Sequence, residues 1–163
     1  MKDYPIYRTG IGQDSHRFLT EKNHKKCVIG GIVFSDVPGL SADSDGDVVI
    51  HSICNAISSL SGVPILGKIA IDLCHKDHIT DSAVYLEHAL QTLKGQKIVH
   101  VALTLEGKKP RMQSRIDEIR KHMASLLHIQ VDQIGMTVTS GDELSDFGRG
   151  EGLQCFCILT TVQ

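Results

Sequence analysis

Asp14 and His16 sit two apart in the run YRTGIGQDSHRF, and His51 follows in SADSDGDVVIH. In an extended strand, residues two apart point to the same side, so the Asp14 carboxylate and the His16 imidazole project together. With His51 they form a set of one carboxylate and two imidazoles. Such ligands suit Zn²⁺, and three protein ligands leave a fourth position open for substrate. Two readings compete with the metal site. Asp14 can cap a turn while the two histidines stay unrelated. Two His and one carboxylate also hold non-haem iron, although there the usual order is HxD…H rather than DxH…H.

Asp43, Asp45 and Asp47 crowd the mouth of a segment that turns apolar at helical spacing. A calcium loop is excluded, because from Asp43 the glycine falls fourth rather than sixth and Cys54 stands where a twelfth-position acid is needed. Ser44 or Asp45 is the expected N-cap. Asp47 and His51 are i and i+4, so Asp47 is the expected carboxylate partner that holds the His51 ring. Further on, Thr139 and Ser140 end a strand and Asp142 follows Gly141; hydroxyls, backbone N–H groups and one acid suit a phosphate with Mg²⁺. Gly148, Gly150 and Gly152 flank Arg149 and Glu151, but the spacing is not GxGxxG and a strand follows, so a dinucleotide fingerprint is rejected. GKKPRM, residues 107–112, is a basic turn before a helix, fit to hold an anion or simply to be solvated.

These groups need elements to position them. Tyr7 to Phe18 reads as a strand running into a loop, and CVIGGIVF as β-structure bent at two glycines. Val49, Ile53, Ala56, Ile57 and Leu60 predict a helix over 45–60. Residues 61–80 carry turn signals and predict an irregular loop. A second helix is expected over 81–94, with Leu86, Ala89, Leu90 and Leu93 inward and Gly95 as its stop. KIVHVALTLE alternates as a strand, with Val99, Val101, Leu103 and Leu105 on one face. A third helix is expected at about 113–127 through Ile116, Ile119, Met123, Leu126 and Leu127. IGMTVTS and LQCFCILTTV are two more strands. The pattern implies an α/β (α+β) single domain over 1–163, a mixed sheet with helices packed on one face.

The composition is that of a globular protein: 163 residues, 41% hydrophobic and 22% charged. A formal net charge of -2 and only 4% aromatic residues argue against nucleic acid as a partner. No apolar run is long enough for a membrane span and MKDYPIYRTG lacks the apolar stretch of a signal peptide, so a cytoplasmic location is expected. Five cysteines without a CxxC pair read as reduced packing residues.

Taken in order, DSH at 14–16, SDGDVVIH at 44–51, DS at 81–82, PRM at 110–112 and GRGEG at 148–152 resemble the 2-C-methyl-D-erythritol 2,4-cyclodiphosphate synthase family over essentially the whole chain. The resemblance implies a homotrimer with active sites between neighbouring subunits. The implied reaction is metal-dependent cyclisation of the cytidine diphosphate ester of methylerythritol 2-phosphate, with release of CMP, in non-mevalonate isoprenoid synthesis. Carried over, Asp14, His16 and His51 match the zinc ligands. Asp142 falls where the family has a Glu that holds a second ion, Mg²⁺ or Mn²⁺, on the phosphates, and Ser140 where it has a phosphate-orienting Thr. Asp43 falls where the family usually has a transition-state-stabilising His, beside Ser44. Gly67, Lys68 and Asp72 match the sugar-side loop. Gly107, Pro110, Arg111, Met112, Val138 and Thr139 match the cytidine-binding segments. Asp146 is an expected substrate-binding residue, and Arg149, also expected to bind substrate, and Glu151 match residues near the threefold axis, where related enzymes can hold an isoprenoid diphosphate. The departures are Asp43 itself, Ile65 for an Asp, Ala70 for a Phe and Arg111 for a Lys. A zinc-dependent phosphoesterase, and a trimeric metal-containing binding module without turnover, remain as alternatives.

Overall fold

The computed structural model describes residues 4–20 and 24–163. Ten elements follow one another: β1 (Tyr7–Arg17), β2 (Lys26–Ile29), β3 (Ile32–Pro38), α1 (Val48–Ser61), α2 (Ala70–Asp77), α3 (Ser82–Gln91), β4 (Lys97–Glu106), α4 (Ile116–Leu127), β5 (Ile134–Thr139) and β6 (Gly152–Val162). Four strands make one mixed sheet in the order β1-β6-β4-β5, with β1 and β4 antiparallel to β6 and β5 parallel to β4. β2 and β3 form a separate hairpin. Its turn is Gly30-Gly31, with φ of 58° and 75°, as a tight two-residue turn between twisted strands requires.

One face of the sheet is the core. Leu153, Cys155, Cys157 and Leu159 of β6 point inward with Val101, Leu103 and Leu105 of β4, and all are buried. The helices cover them with Ile53, Ile57, Leu86, Ile119 and Met123. Cys27, Cys54, Cys155 and Cys157 are buried free thiols, as expected of packing cysteines. Burial pushes Cys27 and Cys155 up to about 12, so neither supplies a thiolate near neutral pH. The opposite face is open and carries exposed Ile11, Phe156 and Ile158.

α1 lies against β1 because β1 is bare where they cross. A Cβ on Gly12 would stand 2.0 Å from the Ser52 carbonyl oxygen, and one on Gly10 2.3 Å from that of Ala56. Only glycine admits that approach. Gly10, Gly12, Asp14 and His16 share the inward side of β1, so the contact that seats α1 also aims both ligand candidates at its first turns.

Four expectations need correction. The first helix begins at Val48, not 45, and its N-cap is Asp47. Residues 61–80 are not a loop throughout: an irregular helical turn over Ile65–Ile69 leads into α2. Pro64 and Gly67 mask the turn, and α2 buries no residue fully, so it has no strong apolar stripe to read. In β4 a register shift between Ile98 and His100 turns Ile98 inward in place of Val99. The last helix starts one short 3₁₀ turn late, at Ile116.

Candidate functional site

Asp14, His16 and His51 converge. Asp14 Oδ2 lies 2.9 Å from His16 Nε2 and 3.1 Å from His51 Nδ1, and the two ring nitrogens are 3.4 Å apart. They are the one group of three metal-ligand side chains among the described residues whose donor atoms all fall within 4.8 Å. Burial on its own raises the Asp14 carboxyl, but hydrogen bonds from His16 and then His51 outweigh it and hold the group down at about 2. An ionised carboxylate and two imidazoles within reach of one point are a donor set that fits Zn²⁺. The iron reading finds no second feature to favour it.

The three side chains floor a cavity of about 220 Å³. Ala42, Asp43 and Ser44 form one wall. Leu66, Ala70, Ile71 and Cys74 form the other, and Tyr85 closes the back. Tyr85 also stacks on the His51 ring, with centroids 6.2 Å apart.

The acids at the mouth of α1 divide their work differently from expectation. Asp47 does not hold His51. Its Oδ1 accepts from the backbone N–H groups of Val49, Ile50 and Gly30 at 2.9–3.1 Å, and its Oδ2 accepts from Gly31 N–H at 2.6 Å. It is wholly buried and clamps the helix start onto the hairpin turn. The i,i+4 spacing misled because an N-cap side chain folds back over its own helix end. His51 is held from another side: its Nε2 lies 2.8 Å from Ser82 Oγ and 3.3 Å from Ser44 Oγ. Ser82 in turn donates to Asp45 Oδ1. Asp45 is therefore no N-cap; it ties the N-terminus of α3 to the turn before α1, also accepting from Ser82 N–H at 3.0 Å.

Asp43 stands exposed on the pocket wall, and His75 of α2 meets it, Nε2 to Oδ2 at 3.2 Å. The Cys74 thiol donates to the Asp43 carbonyl at 3.3 Å. Cys74, His75, Tyr85 and Ser82 are the site residues that sequence reasoning missed. DS at 81–82 was the sole signal for any of them. Gly67 lies in the irregular turn before α2, and Lys68 and Asp72 pair with each other beside the pocket; Asp72 also meets Lys76 at 3.1 Å.

The phosphate and nucleotide candidates cluster at the end of β4 and β5. Gly107 N–H bonds the Thr139 carbonyl at 3.0 Å, which joins the 107–112 segment to Val138-Thr139-Ser140. Pro110 and Met112 are buried on either side of Arg111, which is exposed. Ser140 Oγ donates to Asp142 Oδ1 at 2.9 Å, and Asp142 is held in the left-handed region at φ 44°. Lys108 pairs with Glu143 at 2.6 Å. Asp146 and Arg149 pair with each other, and Glu151 pairs with Arg17. Ser15, His16, Arg17, Asp146 and Glu151 line a second concavity of about 290 Å³. His16 thus borders both cavities. Asp14 and His16 sit on β1 and His51 on the helix packed against it, while the nucleotide segments lie at the end of β4 and β5, with β6 and β4 between the two edge strands of the sheet.

Residues 7–162 match the YgbB family. A protein from Chlamydia caviae described as 2-C-methyl-D-erythritol 2,4-cyclodiphosphate synthase is 52% identical over 97% of this chain and 90% of its own length. One of the same description from Chlamydia muridarum is 51% identical over 97% of this chain and 89% of its own. A solved structure of 2C-methyl-D-erythritol-2,4-cyclodiphosphate synthase superposes with a TM-score of 0.80 at 25% identity, covering 96% of this chain and all of that one. A CDP complex of IspF from Plasmodium falciparum shares the fold, with a TM-score of 0.81 at 23% identity and 98% of both chains covered.

Proposed function

The chain belongs to the YgbB family, and from that membership we propose that it is a 2-C-methyl-D-erythritol 2,4-cyclodiphosphate synthase. It converts 4-diphosphocytidyl-2-C-methyl-D-erythritol 2-phosphate to the cyclic diphosphate and CMP. The observation that carries the reading is the Asp14–His16–His51 cluster on a pocket floor, in a chain half identical to synthases along almost its whole length.

The chemistry needs no strong base. The attacking 2-phosphate is already anionic near neutral pH, and the barrier lies in bringing two anions together in line. Asp14, His16 and His51 would hold zinc, which would supply positive charge where negative charge develops. The protein does the rest by placement. Ser44, Asp43 and the α2 wall bound the space beside the ligands. Ser140 and Asp142, with their neighbouring backbone, present hydroxyl and carboxylate groups suited to the diphosphate and to a second ion, Mg²⁺ or Mn²⁺. Gly107 to Met112 with Val138 and Thr139 form the cytidine side. The 2-phosphate attacks the β-phosphorus, the bond to the α-phosphate bridging oxygen breaks, and CMP leaves with that oxygen.

The working unit is a homotrimer. Two features support it: exposed Ile11, Phe156 and Ile158 on the open sheet face, and the separation of the metal and nucleotide segments across the sheet. Among the described residues no helix is long and apolar enough to cross a membrane. The test is phosphorus NMR of the purified protein with substrate, Zn²⁺ and Mg²⁺. Cyclic diphosphate with CMP is the expected outcome. Linear products mean hydrolysis by a phosphoesterase, and intact substrate with zinc bound means a binding role; either refutes the proposal.

A further inference from the structure

Ser82 touches two polar side chains with one hydroxyl proton to give. Asp45 Oδ1 takes it, because a carboxylate can only accept. The Ser82 oxygen is then left with lone pairs facing His51 Nε2 at 2.8 Å. That contact is a hydrogen bond only if Nε2 carries the ring proton. We infer that Asp45 and Ser82 form a one-directional relay that fixes the His51 tautomer, with the proton on Nε2 and the Nδ1 lone pair aimed at the metal; both are positioning residues for the metal centre.

Four further observations agree. Ser82 is fully buried and His51 nearly so, so water does not compete for the Nε2 proton. Asp45 is itself fixed. Its Oδ1 accepts from Asp47 N–H at 3.0 Å, its Oδ2 from Ser82 N–H at 3.0 Å, and its own N–H donates to the Thr80 carbonyl at 2.8 Å. Ser44, the other neighbour of Nε2, lies farther away at 3.3 Å, so the 2.8 Å contact with Ser82 sets the direction. With the proton on Nε2, a cation can take over the His51 Nδ1 lone pair in place of the hydrogen bond to Asp14 Oδ2, 3.1 Å away. An anionic carboxylate at the far end of the relay also makes the ring a better donor to that cation.

This inference rests on the zinc reading of the site, and its test separates the two. Zinc affinity is measured by chelator competition for wild type, S82A, and the equal-shaped pair S82T and S82V. S82A leaves Asp45 its two backbone donors and removes the hydroxyl that joins it to His51. The expected result is roughly 10- to 100-fold weaker zinc binding in S82A and S82V, with S82T close to wild type. Nitrogen-15 NMR of the zinc-loaded wild type reads the tautomer directly, with no dependence on whether a variant folds. A slowly exchanging proton on His51 Nε2 supports the relay, and a proton on Nδ1 overturns it. Zinc bound equally well by S82A and wild type overturns the relay and leaves the metal site standing. A wild type that takes up no zinc overturns the metal reading and the relay together.

Discussion

Replacing Asp47 by alanine separates two roles that its position could serve. The structure makes it the clamp between α1 and the β2–β3 turn, with four backbone N–H groups on its two oxygens. Losing an N-cap costs about 1 kcal/mol. Gly30 and Gly31 N–H groups lose their acceptor as well, at about 1–3 kcal/mol for each donor stranded away from water. Gly31 is half-exposed and recovers part of its loss from solvent. The sum is about 4 kcal/mol. For a domain of this size each kcal/mol moves the melting point by about 2–4 °C, so D47A should melt roughly 8–16 °C lower. The assay is thermal unfolding followed by circular dichroism on zinc-stripped protein, since bound metal would add its own stabilisation. Chelator competition below the melting point should show unchanged zinc affinity, because the Asp47 side chain touches no ligand and the backbone carbonyl that accepts from His51 N–H is kept in alanine. A zinc affinity lowered 10-fold or more with a fall in melting point under about 3 °C would refute the reasoning. It would return Asp47 to the role of partner to His51.

Three more outcomes are expected. Asp14 is held at about 2 in the fold against 3.8 as a free side chain, so its ionisation favours the native state above about pH 4 and that contribution fades as pH falls through about 2. The gap amounts to about 2 kcal/mol; urea unfolding of zinc-free protein should show wild type losing that much relative to D14N between pH 5 and pH 2, and a pH-independent difference would contradict it. On the pocket wall, H75A leaves the Asp43 carboxylate without the imidazole now 3.2 Å away, so turnover should fall chiefly through a higher KM for the anionic substrate. The double variant D43H/H75A removes the acid and should regain most of the loss; steady-state kinetics decides, and equal activity in H75A and wild type counts against the pairing. Finally, I158E puts a charge on the apolar open face, and light scattering should show the proposed trimer dissociating with loss of turnover, whereas an active I158E monomer would sink the oligomer argument.

The metal ligands were legible because a β-strand forces Asp14 and His16 to one side, and because the apolar period of 48–60 leaves little doubt that His51 is helical. Most elements followed from the same two periods. The misses have local causes. A carboxylate at an N-cap serves its own backbone, which i,i+4 spacing does not register, so Asp47 was assigned Asp45's work. Asp45 and Ser82 meet only after α3 docks, a tertiary contact with no trace in local pattern. α2 rides on the surface without a buried stripe, so its sequence resembles a loop, and Cys74 and His75 stayed invisible with it. The closeness of α1 to β1 was written in GIG at 10–12, where the absence of side chains is itself the signal.

The two sides of the pocket stand under different restraint. The floor is built into the core: Asp14 and His16 on a central sheet, His51 and Ser82 buried, glycines that admit no side chain beneath them. The outer wall is a helix with no fully buried residue, where substitutions away from specific contacts shift stability by no more than about 0.5 kcal/mol. Sequence drift can therefore remodel the wall without disturbing the floor. Asp43 facing His75, with Ala70 beside them, stands on that wall, where the shape of the pocket can change at little cost to the core beneath it.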